Sequence, residues 1–261
     1  MTAVPQGDYI QFLGTAGARF AMAKQIRSSA GTFLRLGGKN LLLDAGPGTL
    51  ARCAAVQPLI DVFELDALIL THSHIDHSTD INCLIDAMTG GGIWKRGVLF
   101  TPAACLEGDH AVVLRYLRGF LHDIVPIAAA EPYQLDTLHF RTSPLHDHGV
   151  ETYGISFQLP TQRLSFLIDT RFFPELIDAY ADSDVLVINV VRHRPEDAPH
   201  ALHLCIEDVK EIVRAIRPRK TILTHFGMTM LKNNPTAIAM EASDEVGCEI
   251  IAADDGMIVE L

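Results

Sequence analysis

Hydrophobic and polar positions along the chain alternate between strand-like and helix-like spacing. Alternation over residues 9–13 leads into the turn Gly14-Thr15-Ala16-Gly17, and residues 32–36 and 41–43 flank a Gly-Gly-Lys-Asn turn as a hairpin. The short apolar run 67–70 is typical of a buried strand. It ends directly before a histidine-rich segment, so the pattern places those histidines at a strand end.

The rest of the chain continues this mixture. Further strands are predicted at 98–100, 138–142, 153–159, 164–168, 185–191, 221–224, 249–253 and 257–261, and helices at 49–57, 80–88, 110–120, 174–180, 206–216 and 236–245. No proline-rich linker or low-complexity tract divides the two halves. We therefore predict one α/β domain over residues 1–261, with two sheets sandwiched between helices.

Composition narrows the class of protein. The chain has 261 residues, 48% of them hydrophobic, which indicates a folded core. A net charge of -11 argues against a general DNA-binding role, because the field of the molecule repels polyanions. Five scattered cysteines without a CxxC pair argue against disulfides and a thiolate zinc knuckle. With no leader-like N-terminus and no apolar run of about 18 residues, we expect a soluble, unprocessed cytoplasmic protein.

Histidines provide the strongest chemical signal, since the chain has 12 of them. The segment Thr71-His72-Ser73-His74-Ile75-Asp76-His77-Ser78 carries three imidazoles and a carboxylate just after a buried strand. Burying these groups without hydrogen-bonding partners raises the free energy of the folded state, and bound divalent metals would remove that penalty. Because His72 and His74 alternate onto one side while Asp76 and His77 lie on the next turn, one segment can serve two adjacent metals.

Three later segments also place polar side chains near strand ends. PLHDHGVETYG at 144–154 contains His146 and His148, SFLIDT at 165–170 ends an apolar strand in Asp169, and TILTHFG at 221–227 ends another in His225. Taken alone, Asp169 would also suit a helix N-cap or a turn. Together with the histidine-rich segment and Leu43-Asp44-Ala45-Gly46, they make the chain resemble the metallo-beta-lactamase fold hydrolases. The branch resembled includes the tRNA 3'-processing ribonuclease and a phosphonate-pathway cyclic phosphodiesterase.

The resemblance implies a four-layer αββα sandwich with a dinuclear centre. One metal would be held by His72, His74, His148 and Asp169, and the other by Asp76, His77, Asp169 and His225. His148 is preferred as the third histidine ligand, with His146 as the alternative. The ligand types fit two divalent ions, with Zn favoured and Mn or Fe also suitable. Asp76 and His203 are the predicted catalytic residues, His203 acting on the phosphate or the leaving group.

The sequence allows more than one role for several other residues near His203. His200 is a weaker candidate for the phosphate-side histidine, and Glu207 lies one helical turn from His203, where it would orient the ring or simply face solvent. Arg192, His193 and Arg194 form a local basic group that either meets an anionic substrate or lies in a solvated loop.

Motif details favour phosphoester chemistry. The chain lacks the TPGHT-like run of thioesterase and lactonase members, and its stretch between His148 and Asp169 is too short for the arm with which tRNA-processing members grip tRNA. The predicted substrate is therefore a small phosphodiester, cyclic or open, rather than a long nucleic acid. The alternatives are a carbon-ester, lactone or thioester hydrolase, or a non-catalytic metal-binding accessory protein. Homodimers are common in the family, and no membrane partner is expected.

Overall fold

A computed structural model describes residues 5–195 and 202–261, which form two compact units. The first unit contains the described residues of Met1–Thr15, Gln25–Ala128 and Asp254–Leu261. The second contains those of Ala16–Lys24 and Ala129–Ala253. Neither unit is a continuous stretch of chain, because the C-terminal residues return to the first unit and Ala16–Lys24 belongs to the second.

Fourteen strands are found in the described residues. They are β1 (Tyr9–Phe12), β2 (Thr32–Leu36), β3 (Lys39–Leu43), β4 (Ala67–Ile69), β5 (Val98–Pro102), β6 (Asp123–Ile127), β7 (Pro132–Leu135), β8 (Leu138–Thr142), β9 (Ile155–Gln158), β10 (Arg163–Leu167), β11 (Val185–Asn189), β12 (Lys220–Thr224), β13 (Ile250–Ala252) and β14 (Ile258–Glu260).

Nine α-helices lie between these strands in the same part of the chain. They are α1 (Ala18–Lys24), α2 (Thr49–Ala55), α3 (Ile75–Ser78), α4 (Ile81–Thr89), α5 (Arg115–Arg118), α6 (Glu175–Tyr180), α7 (Ile206–Ile216), α8 (Met228–Lys232) and α9 (Pro235–Val246). None of the helices described is long and apolar enough to cross a membrane.

Each unit contains one seven-stranded mixed sheet. The first sheet has the order β14-β1-β2-β3-β4-β5-β6, antiparallel as far as β3 and parallel from β3 to β6. The second has the order β13-β12-β11-β10-β9-β8-β7, parallel from β13 to β10 and antiparallel beyond. Both sheets therefore contain parallel strands whose carboxyl ends share an edge, the usual place for a ligand in α/β proteins.

Each sheet packs against helices of its own unit. In the first unit Leu68 and Leu99 of neighbouring strands pack with Leu84 and Met88 of α4. In the second, Leu186 and Leu223 pack with the apolar stripe of α7, which includes Val209, Ile212 and Val213. The predicted α/β class, with two sheets flanked by helices, is confirmed.

Most predicted elements are present with small shifts at their ends, but the helix predicted over 110–120 is wrong. Helix is found there only in α5. The backbone N–H groups of Val112 and Val113 both donate to the carbonyl of Cys105, and the Arg118 guanidinium donates to the carbonyls of Leu106 and Val113. These contacts satisfy the backbone as a loop and replace the helical pattern.

The only tryptophan of the chain lies just after α4. Gly90, in the left-handed conformation, ends α4, and the ring of Trp94 packs over it. Trp94 is 55% exposed and meets Phe63 edge to face, with ring centroids 5.8 Å apart. The glycine run 90–92 therefore ends α4 and is followed by Trp94, which lies at the surface beside Phe63.

Candidate metal centre

The first group of candidate ligands follows β4 in the first unit. After the strand, Thr71 to His74 lie outside any helix or strand, and α3 begins at the next residue, so that Asp76 and His77 lie on its first turn. His72 and His77 are buried and His74 is partly exposed. The ring of His72 lies 4.9 Å from that of His74 and 4.1 Å from that of His77, centroid to centroid. The three imidazole rings of this segment therefore lie together within the first unit.

Asp44, at the end of the adjacent parallel strand β3, organises this group. Its carboxylate accepts hydrogen bonds from the Thr71 backbone N–H at 2.8 Å and from the Thr71 hydroxyl. It also lies 2.7 Å from Nδ1 of His77. Since a carboxylate accepts, Nδ1 of His77 carries the proton and Nε2 presents its lone pair.

The same reasoning fixes the tautomer of His72. The Thr71 hydroxyl has one proton, which it donates to Asp44, so it accepts from Nδ1 of His72 at 3.0 Å. Nε2 of His72 is then the basic nitrogen. Asp44 thus sets the proton positions on two predicted ligands, in the way that carboxylates behind metal-bound histidines commonly do.

The second group surrounds Asp169, which follows β10 in the second unit. Asn189, at the end of neighbouring β11, donates from Nδ2 to Oδ1 of Asp169 at 2.8 Å. The other oxygen, Oδ2, is approached by Nε2 of His148, His203 and His225 at 3.5, 3.3 and 3.2 Å. One buried carboxylate oxygen is therefore faced by three imidazole nitrogens.

These distances fit a divalent metal. Ligand atoms bound to zinc at about 2.0–2.2 Å in a tetrahedron lie about 3.3–3.6 Å from one another. Nδ1 of His148 lies 2.9 Å from the carbonyl of Leu202, which can only accept, so Nδ1 carries the proton and the lone pair on Nε2 points toward Asp169. A lone pair facing a carboxylate oxygen is stabilised by a cation between them. The ligand atoms of His148, Asp169 and His203 lie within 4.8 Å of one another.

His146 occupies a different environment from His148. Its Nδ1 lies 3.3 Å from the carbonyl of Asp169, and its Nε2 lies 3.0 Å from the hydroxyl of Tyr180. Burial lowers the pKa of His146 to about 4, so the ring is neutral at pH 7 and accepts from the Tyr180 hydroxyl. His146 thus contacts the backbone carbonyl of Asp169, while Nε2 of His148 faces its carboxylate.

Glycines allow these side chains to approach the backbone. A Cβ on Gly17 would lie 2.1 Å from the ring of His225, and a Cβ on Gly154 would lie 1.7 Å from the Tyr180 hydroxyl. The predicted turn at residues 14–17 therefore also makes room for a candidate ligand. His225 and Asp44 both have left-handed backbones, with φ of 61° and 54°, a conformation uncommon in residues other than glycine and concentrated at functional sites.

Some functional residues were missed by the sequence reasoning. The roles of Asp44, Thr71 and Asn189 were not predicted, although each lies at or just after the end of a parallel strand. Glu207, suggested as a partner of His203, instead pairs with Lys210, with 3.0 Å between Oε1 and Nζ. His200 lies outside the described residues.

Comparisons with known proteins agree with this architecture. The family profile of the Beta-lactamase superfamily domain matches residues 39–226, which is well over half of the chain. The chain belongs to this superfamily. It is 31% identical to the uncharacterized protein MJ1374 of Methanocaldococcus jannaschii, over 97% of this chain and 94% of that protein.

Two further relatives define the fold and the branch. Ribonuclease Z of Methanopyrus kandleri is 24% identical over 97% of both chains. The crystal structure of the metallo-beta-lactamase fold protein YhfI from Bacillus subtilis matches with a TM-score of 0.81 and 20% identity, over 97% of this chain and 99% of that one. The predicted metallo-beta-lactamase fold and the relationship to Ribonuclease Z are thus confirmed. The YhfI protein of Bacillus subtilis, which is named a probable metallo-hydrolase, is 21% identical over 89% of this chain and 93% of that protein.

Proposed function

We propose that this superfamily member is a dinuclear metal-dependent phosphodiesterase that acts on a small phosphodiester. The observation that carries the proposal is the arrangement around Asp169, where Nε2 of two predicted ligands, His148 and His225, face one buried carboxylate oxygen at ligand-to-ligand spacing. The relative from Methanopyrus kandleri is named a ribonuclease, and ribonucleases cleave phosphodiester bonds.

We further propose that the two ligand groups hold one pair of ions. Sharing Asp169 gives one ion His72, His74 and His148 and the other Asp76, His77 and His225. Each ion then has four protein ligands. Neither group alone has enough side chains to give two ions four ligands each. Imidazole and carboxylate suit Zn best, and Mn or Fe are the other candidates.

Divalent ions bound there would polarise the phosphoryl group and lower the pKa of water to about 7. The chain's own residues supply orientation and proton transfer. Asp44 and the Leu202 carbonyl fix the tautomers of the ligands, while Asn189 turns Asp169 so that Oδ2 faces the histidines. His203 is the proposed proton donor to the leaving-group oxygen, since its side chain is 25% exposed while those of His148 and Asp169 are 1% exposed.

Two features favour a small substrate. Between His148 and Asp169 the chain forms only the hairpin of β9 and β10, joined by a turn in which Leu159 N–H donates to the carbonyl of Gln162. In addition, a net charge of -11 opposes binding of a long polyanion, whereas two divalent ions neutralise a single phosphodiester locally.

The test is hydrolysis of bis(p-nitrophenyl) phosphate by protein loaded with Zn or Mn. We expect turnover that is abolished in the double variant His72→Ala, His74→Ala. A second double variant, His110→Ala, His122→Ala, removes two exposed histidines of the same unit and serves as the control. Equal activity in the wild type and the ligand variant would refute the proposal.

A panel of acyl substrates separates the alternatives. Turnover of a carbon ester, lactone or thioester that is unchanged in His203→Ala, without phosphodiester hydrolysis, would favour the acyl hydrolase. Full metal occupancy without turnover of any ester would favour the accessory protein.

A further inference from the structure

An ion pair joins the two segments of the second unit that carry His148 and Asp169. It is formed by Asp147, the residue before His148, and by Arg171. Nε and Nη2 of the Arg171 guanidinium lie 2.6 and 2.5 Å from Oδ2 of Asp147. Because Arg171 follows Asp169 by two residues, each partner of the ion pair lies close in sequence to a different predicted ligand.

Backbone hydrogen bonds connect the same two segments. The N–H of Arg171 donates to the carbonyl of Asp147 at 3.1 Å. In the other direction, the N–H of Asp147 donates to the hydroxyl of Thr170 at 3.1 Å, and that hydroxyl donates to the carbonyl of Arg171 at 2.8 Å. The ion pair is therefore the side-chain part of a larger junction, which fixes the position of one segment against the other.

Exposure to solvent distinguishes the ion pair from the predicted ligands beside it. The side chains of Asp147 and Arg171 are 42% and 52% exposed, whereas those of His148 and Asp169 are 1% exposed. An exposed ion pair contributes little to the free energy of folding. The effect of this pair is therefore local, on the positions of the residues next to it.

The relevant distance is that between Nε2 of His148 and Oδ2 of Asp169, which is 3.5 Å. Two ligand atoms bound to one zinc ion lie about 3.3–3.6 Å apart. The Leu202 carbonyl and the Asn189 amide set the directions of the two side chains. Neither of these contacts joins the two segments to each other, whereas the ion pair does.

We propose that the ion pair of Asp147 and Arg171 is a positioning element that keeps His148 and Asp169 at the spacing that a divalent ion requires. The inference rests on the proposed function, because it takes His148 and Asp169 as ligands, and it adds two residues that act through them. Arg171 holds Asp147, and Asp147 fixes the backbone of the adjoining His148.

Removing either partner distinguishes positioning from a simple effect of charge. Asp147→Asn removes a negative charge and Arg171→Gln removes a positive one, so their electrostatic effects on a bound cation are opposite. If the pair positions the ligands, both variants bind zinc about five-fold more weakly, an effect between that of an exposed ion pair and that of a residue bonded directly to a ligand. The measurement is a competition titration with a chromogenic chelator. The double variant should lose no more affinity than either single variant.

Arg163 and Asp182 provide the matched control. They form a surface ion pair of the same unit, with 2.9 Å between Nη1 and Oδ2, and Arg163 lies at the start of β10, at the end remote from Asp169. Arg163→Gln and Asp182→Asn should leave the zinc affinity unchanged. An equal loss in the control variants overturns the inference. Unchanged zinc affinity in Asp147→Asn and Arg171→Gln, or weaker binding in the first and stronger binding in the second, also overturns it.

Coordination geometry gives a second readout. The visible ligand-field bands of the cobalt-loaded protein depend on the arrangement of the ligands, and we expect them to change in both Asp147→Asn and Arg171→Gln. The unfolding temperature of the metal-free protein should change by less than about 4 °C. An unchanged cobalt spectrum with a much lower unfolding temperature would mean that the pair serves only the fold, which overturns the inference.

Zinc affinity and the cobalt spectrum can be measured without catalysis, so this inference and the proposed function can fail separately. Weaker zinc binding in both variants supports the inference even if the wild type hydrolyses no phosphodiester, in which case only the proposed reaction is wrong. Hydrolysis by the wild type with unchanged zinc affinity in both variants refutes the inference alone. A wild type that binds no zinc refutes both.

Discussion

Asp44 shows how one carboxylate at a strand end can control two neighbouring imidazoles. It accepts from Thr71 and from Nδ1 of His77, and Thr71 in turn accepts from His72. In Asp44→Asn an amide replaces the carboxylate. An amide N–H facing the protonated Nδ1 of His77 would put two hydrogen-bond donors against each other, and the ring would turn. Support residues of this kind typically contribute about 10–100-fold to metal affinity or activity.

We therefore expect Asp44→Asn to bind zinc at least about ten-fold more weakly in a competition titration with a chromogenic chelator. Asp61→Asn is the control, because Asp61 is exposed and caps a short 3-10 helix, a role that asparagine fills equally well. Unchanged zinc affinity in Asp44→Asn would show that Asp44 does not position the ligands.

His203 poses a separate question at the residue scale, since its Nε2 has the same spacing to Asp169 as the predicted ligands. If it acts on the leaving group, His203→Ala keeps two metal ions per chain and loses about 100-fold in kcat, within the usual range for a general acid. The loss should be greater for an alkyl leaving group than for p-nitrophenolate, which hardly needs a proton. Metal analysis and kinetics with both substrates check this.

His225→Ala provides the reference for that measurement. As a predicted ligand, His225 should be needed for full metal occupancy. If His203→Ala and His225→Ala lose metal to the same extent, His203 is a ligand and its assigned role as proton donor is wrong.

Sequence reasoning found the residues with distinctive chemistry and missed those that position them. Three imidazoles and a carboxylate packed into one HxHxDH cluster are hard to bury without a metal, whereas a single aspartate or asparagine after a strand occurs in many proteins for capping or turn formation. Asp44 and Asn189 acquire their roles only because parallel neighbours bring their strand ends beside Thr71 and Asp169.

At the scale of elements, the missed strands share a physical cause. β6 contains Pro126 and β7 begins with Pro132, and proline normally argues against a strand. Both strands are the last in their sheets, where an absent backbone N–H need not break a ladder. The short helix α1 was also missed, because Ala21 is its only buried residue and no apolar stripe marks it in the sequence.

The loop before α1 provides an element-scale prediction. In Gly17→Ala the new methyl group would overlap the ring of His225, so the ring must shift by an ångström or more. Displacements of that size at a catalytic centre can reduce activity about 100-fold. We expect a loss of this order in bis(p-nitrophenyl) phosphate hydrolysis with little change in the far-ultraviolet circular dichroism spectrum.

Gly119→Ala is the matched control for this substitution. Gly119 has a φ of -68° and nothing within 4 Å of an added Cβ, so alanine fits there without strain. Wild-type activity in Gly17→Ala would show that the His225 ring tolerates the displacement or does not contribute to the reaction.

At the scale of the whole molecule, the division into two units was not visible in the sequence. The last strand, β14, pairs with the first, β1, and α1 leaves the first unit for the second. Such pairings between distant parts of the chain have no local signal. The α/β class, by contrast, follows from local patterns and was predicted correctly.

Net charge gives the whole-molecule prediction. Because the chain carries a net charge of -11, we expect long RNA to bind it poorly and not to inhibit its activity. Adding polyadenylate at low salt should therefore leave the rate of bis(p-nitrophenyl) phosphate hydrolysis unchanged. A mononucleotide serves as the comparison, because it can reach the candidate metal centre without bringing a long polyanion close to the protein surface. Strong inhibition by polyadenylate that weakens with salt would indicate an RNA substrate instead.

The lone, half-exposed Trp94 beside Phe63 has a practical consequence for studies of stability. Intrinsic tryptophan fluorescence reports on one place in the first unit and on nothing in the second. A denaturation curve followed at tryptophan wavelengths would therefore record the loss of the first unit's structure alone. Whether both units unfold in a single step can be judged only by comparing that curve with one from circular dichroism, which observes the helices of both.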